Sequence, residues 1–80
     1  MTTLLRLPTV VERTGLSRAS VYLHVAKGTM TTPVKIGERS AAWPDTEIEA
    51  INAARLAGKT EAEIQSLVMF LHRQRNARAL

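Results

Sequence analysis

The 80-residue chain contains no cysteine. That excludes disulfides, thiolate metal sites and a thiol nucleophile together, and it fits a reducing compartment. Its longest uninterrupted apolar run is the five residues Leu67 to Leu71, far short of the roughly 20 needed to cross a membrane. The opening Met-Thr-Thr-Leu-Leu-Arg lacks the charged region and apolar stretch of a signal peptide. A soluble, cytoplasmic domain with no membrane partner is expected. The four glycines stand singly, without a phosphate-cradling loop. His24 and His72 lie 48 positions apart with no ligand spacing around either, so neither a metal nor another cofactor is expected. Asp45 is the single aspartate, placed to cap a helix, and no Ser–His–acid arrangement is visible. The chain reads as a non-enzyme.

What is present is an ordinary globular composition, 45% hydrophobic and 22% charged. A chain this short buries only about 60% of its unfolded surface, enough for one core. The net charge is +4 and the sequence pI about 10.4, above the value of roughly 9 that marks candidate nucleic-acid binders. Residues 1–40 carry six basic and two acidic groups, whereas residues 41–80 carry five of each. The whole excess lies in the first half. There the cations alternate with apolar residues, as a folded surface displays them.

Local signals give an order of elements. Leu5 and Leu7 alternate around Arg6 as a short edge strand, and Pro8 opens a helix over Thr9 to Thr14. Val10 and Val11 supply its apolar side, and Gly15 ends it through a left-handed cap. Ser17 is the N-cap of a second helix running to Lys27, which Gly28 terminates. Two short helices joined by a tight glycine-containing turn form the helix-turn-helix pattern. Val34 and Ile36, then Ala41 and Trp43, alternate on either side of Gly37-Glu38-Arg39-Ser40 as a hairpin with one buried face. Pro44-Asp45 opens a third helix, with Ile48 and Ile51 inward, Ala54 and Leu56 assisting, and Glu47 and Glu49 at the positive end of its dipole. Gly58 stops it. Thr60 with Glu63 is a capping box for a fourth helix, whose core stripe is Ile64, Leu67, Val68 and Leu71. The fold class is mainly α with a small β-hairpin: a winged helix-turn-helix over 1–57 and a C-terminal helix over 58–80.

A helix fits the DNA major groove, and the second helix of this motif presents its N-terminal side chains to base edges. Val21, Val25 and Leu16 face inward, leaving Arg18, Ala19, Tyr22, Leu23 and Ala26 outward. Arg18 suits bidentate readout of guanine. Ser17, Ser20 and Tyr22 offer hydroxyls for phosphates, and Lys27 adds a cation at the helix end. Lys35, on the outward face of the hairpin, and Arg39, at its tip, suit the neighbouring backbone. Each has a plainer role: Ser17 caps a helix in any fold, Tyr22 covers a core, and lone arginines are solvated. The joint placement of Arg18, Lys35 and Arg39 on the two elements of a winged helix favours double-stranded DNA.

Leu5 to Pro8, continuing through Glu12-Arg13-Thr14-Gly15-Leu16-Ser17-Arg18-Ala19-Ser20-Val21-Tyr22, resembles the opening of AlpA-type prophage regulators, relatives of excisionase and MerR-like winged helices. Pro33 to Gly37, with Arg39 and Trp43, resembles their wing, and Glu47 to Arg55 resembles the helix after it. The resemblance implies a DNA-binding transcriptional regulator or a recombination directionality factor acting with an integrase. Four places depart from the pattern. Leu23 stands where an arginine is common and His24 where the residue is usually apolar. Met30 and Thr31 replace an aromatic and a proline, and Ile51 replaces a tryptophan. Leu23 suits either a thymine methyl or a protein contact.

On the fourth helix, Leu67 to Leu71 is apolar all round, more than one core face needs. Met69 and Phe70 are surplus, serving either a second clasp within the monomer or contact with a second copy or another partner. Arg73, Arg75 and Arg78 suit the negative end of the helix dipole and DNA phosphates. The rival to DNA binding is a protein-interaction module that uses Leu23, Met69 and Phe70 to hold an integrase or a regulator.

Overall fold

Local chemistry sets most element boundaries in the computed structural model, which describes residues 2–78. The order is β1 (Leu4–Arg6), α1 (Leu7–Thr14), α2 (Arg18–Lys27), β2 (Val34–Gly37), β3 (Ser40–Pro44), α3 (Asp45–Leu56) and α4 (Glu61–Arg78). Leu7 opens α1 rather than extending the strand, because Pro8 sits in a first helical turn that needs no N–H from it. Gly15 closes α1 at φ 74°, donating its N–H to Val11 O, and Gly28 closes α2 at φ 80°. Both are left-handed positions that a Cβ would strain. The Ser17 hydroxyl accepts the Ser20 N–H at 3.1 Å. Before α4, Thr60 N–H donates to Glu63 Oε1 at 2.9 Å and Glu63 N–H to Thr60 Oγ1 at 3.2 Å, a reciprocal capping box. The bonds from Thr60 hold the Glu63 carboxyl below its ordinary range, so it stays charged.

The sheet order is β1-β3-β2, antiparallel throughout. Leu5 pairs with Trp43 and Arg6 with Ala42, while Val34 pairs with Ala42 and Lys35 with Ala41. Directly opposed residues share a face. Leu5, Trp43, Ala41 and Lys35 therefore line one face, and Leu4, Arg6, Pro44, Ala42 and Val34 the other. This corrects the expected hairpin, in which Val34 and Ile36 shared the Trp43 face and Lys35 pointed away from it. The cause is a register shift between Lys35 and Gly37. Ile36 is the extra residue of this bulge, and it is left exposed.

The core is built on Trp43, Met30, Ile48, Ile51, Val10 and Val21. Ile64, Val68 and Leu71 of α4 join the same cluster. Leu56 and Asp45 on α3 depart from their expected roles. Leu56 is 90% exposed rather than assisting the core, because it lies five positions past Ile51 and so swings off the inward stripe. Asp45 makes no cap bond within α3. Its Oδ1 accepts the Thr3 N–H at 3.1 Å, while its own N–H donates to Thr3 O at 2.8 Å. The pair pins the chain start to the start of α3.

Candidate nucleic-acid interface

The outward residues of α2 lie where the helical period puts them. Arg18, Ala19, Tyr22, Leu23 and Ala26 are exposed and Val21 is fully buried. Ser17 is spent partly on the helix: its hydroxyl donates to Ser20 Oγ at 3.0 Å while accepting the Ser20 N–H. Tyr22 takes the plainer of its two expected roles, covering the core. Its ring meets the Trp43 ring edge-on, with centroids 6.2 Å apart at 60°, yet it stays half exposed.

That contact couples helix to wing. Trp43 lies on the same sheet face as Lys35, and Tyr22 of α2 meets that face at Trp43. Arg39 sits in the two-residue turn between β2 and β3. Arg18, Lys35 and Arg39 are exposed, and none takes part in the ion pairs found among the described residues. Lys27 differs. Its Nζ lies 3.2 Å from Glu61 Oε1, which turns it toward the start of α4, where Gln65 Nε2 also donates to Lys27 O at 2.9 Å.

The segment from α2 to the wing has no regular structure, yet Thr29, Met30 and Thr31 are buried. Its backbone groups must then find partners elsewhere. Arg55 Nη2 donates to Thr29 O at 3.3 Å, and Trp43 Nε1 to Thr31 O at 2.8 Å. Thr32 N–H donates to His72 Nε2 at 3.1 Å, and Arg75 Nη2 to Thr32 O at 2.8 Å. Side chains from β3, α3 and α4 thus hold the segment that spaces α2 from the wing.

One of those donors, Arg75, and the carboxylate it holds, Glu47, differ from the sequence expectation. Arg75 is not a free tail cation: its guanidinium grips Glu47 with Nε at 2.8 Å and Nη2 at 2.6 Å. Glu47 is 5% exposed, so its carboxylate is a buried partner, not a solvated dipole group. The spacing signal was present. Glu47 is four before Ile51, and Arg75 four after Leu71, each on its helix's inner stripe. Arg73 is exposed, and the side chain of Arg78 lies outside the described residues.

His24 closes the rear of α2. Its Nδ1 lies 2.7 Å from Thr29 Oγ1 and 3.4 Å from Arg55 Nη2. Burial first, then the charges of Arg55 and Lys27, hold its pKa below the ordinary 6.5 against an opposing pull from Glu61. Among the described residues no group of three His, Asp or Glu is placed to hold a metal, and no helix is long and apolar enough to cross a membrane.

Comparison with known proteins bears on this arrangement. The family described as prophage CP4-57 regulatory protein (AlpA) matches residues 3–56. The uncharacterized protein ORF88 of Enterobacteria phage P4 is 38% identical over 55 residues, covering 69% of this chain and 62% of its own length. The chain therefore matches less than two thirds of that relative. No solved structure matches. The family match runs from just before β1 to the last residue of α3, taking in the helix-turn-helix and the wing, and by it the chain belongs to the AlpA family of prophage regulatory proteins.

Proposed function

We propose that the chain binds double-stranded DNA in a sequence-specific way, with α2 in the major groove and the β2–β3 wing on the adjacent backbone. The observation that carries this reading is the set Arg18, Lys35 and Arg39, exposed and outside the ion pairs, on two elements coupled through Tyr22 and Trp43. Arg18 reads a base edge near the start of α2, where Ser17, Ser20 and the helix N-terminus face phosphate. Lys35 and Arg39 supply cations for the backbone. Leu23 packs on a thymine methyl. Lys27, held by Glu61, contributes least.

In a prophage or related mobile element, such binding regulates transcription or directs excision with an integrase, in the cytoplasm of the host. A second reading keeps the fold but gives its apolar faces to a protein partner, and the exposure of Leu23, Met69 and Phe70 favours it.

The two readings separate in a titration of the element's own promoter and attachment-site duplexes against random duplexes. Arg18→Ala is expected to narrow the preference for cognate DNA about tenfold or more, the value of a bidentate base contact. Lys35→Ala is expected to weaken both kinds of duplex alike. Equal shifts on cognate and random DNA for both variants would contradict the division of readout from anchoring.

A further inference from the structure

The middle of α4 falls between Met69 and Phe70, and both are exposed, at 63% and 47%. Ile64, Val68 and Leu71 on the inner side already fill the core. On the outer side Glu63, Ser66, Phe70 and Arg73 follow one another at spacings of three and four, with Met69 beside them. Phe70 stands between two grooves. One, of about 640 Å³, is lined by Val34, Pro44 and Leu71. The other, of about 470 Å³, is lined by Ala54, Lys59 and Glu63.

A ridge with grooves beside it suits a two-fold contact, in which one surface must supply both knob and hole. Charge points to the same occupant. Residues 41–80 carry no net charge, so two copies meeting there are not repelled, whereas contact through residues 1–40 would set +4 against +4. Charge also selects the direction. In an antiparallel pair centred between Met69 and Phe70, Arg73 of one copy stands level with Ser66 of the other. Glu63 is then only about 4.5 Å further along the axis, within reach of a guanidinium. A parallel pair would set Glu63 on Glu63 and Arg73 on Arg73.

We propose that α4 pairs antiparallel with α4 of a second copy, with Met69 and Phe70 at the centre and Glu63–Arg73 pairs on either side. The dimer does not depend on the DNA reading. If that reading also holds, the two-fold axis relates two α2 helices and suits inverted half-sites.

Sedimentation equilibrium of the full chain without DNA tests the dimer directly, over about 1 μM to 1 mM. A closed monomer–dimer equilibrium is expected, with no larger species. Phe70→Glu should raise the dissociation constant at least about tenfold, while its thermal melt at concentrations where the parent is also monomeric stays in place. Arg73→Glu sets like charges together and should weaken the dimer about fivefold. Adding Glu63→Gln, which keeps the capping acceptor, should restore most of that loss. A monomer at every concentration, assembly beyond the dimer, or an Arg73→Glu variant that associates like the parent would each overturn the proposal. DNA titrations of the same variants keep failure of the dimer distinct from failure of DNA binding.

Discussion

Arg18 and Arg75 are the same residue type in opposite situations, and each typifies its half of the molecule. Arg18 is exposed at the start of α2 and outside the ion pairs. Arg75 is bound to a buried carboxylate and to a backbone carbonyl. The first half holds the entire charge excess and leaves its cations on the surface. The second half is neutral, and through Arg75 it spends one cation internally, to join α4 to α3 and to the segment before the wing. A cation with no partner inside the molecule is available for one outside it. A cation over a buried carboxylate is structural, because removing it strands the partner.

The two arginines should differ most in unfolding experiments. Arg75→Ala leaves Glu47 buried and unpaired, at a cost of about 3 kcal/mol. Arg18→Ala should move stability by less than about 0.5 kcal/mol. Urea denaturation of both variants checks the contrast, and similar losses in the two would erase the distinction between the halves.

His24 lies at the seam between the halves, where α2 meets Arg55 of α3 and Glu61 of α4. Its folded pKa lies below the 6.5 of the ordinary residue, so on acidification the unfolded chain takes up the proton first. Stability is therefore complete above about 6.5 and declines as the pH falls through that value, until folded His24 also protonates. The decline should stay under about 1 kcal/mol, since solvent screens a half-buried group. Thermal melts across this range should show a smaller fall for His24→Gln than for the parent. Equal falls would assign the acid sensitivity elsewhere.

The elements that could be read from sequence are those with local causes. Gly15, Ser17, Gly28 and the Thr60–Glu63 box act within a few residues, and the Ile64, Val68 and Leu71 stripe is a periodicity of one helix. The outward face of α2 followed from the same period, so Arg18, Tyr22 and Leu23 were placed correctly on the surface. What escaped depends on distant partners. The segment at Thr29–Thr32 has no period, and its order comes from bonds to Trp43, Arg55, His72 and Arg75 that span 12 to 43 positions. The wing register turned on one inserted residue, Ile36, which moved Lys35 onto the Trp43 face. Glu47 and Arg75 are charged by type, which suggests solvent, yet their helical positions set both on inner stripes where they pair.

The claim that α2 and the wing act as one DNA surface is tested most directly by the salt dependence of duplex binding, followed by fluorescence anisotropy. Each phosphate contact contributes about −0.9 to the slope of log affinity against log salt. The parent is expected to bind at low ionic strength with a steep slope, and the Lys35→Ala/Arg39→Ala double variant to lose about 2 from it. A duplex that never binds at low salt, or a double variant whose slope equals the parent's, would contradict the account.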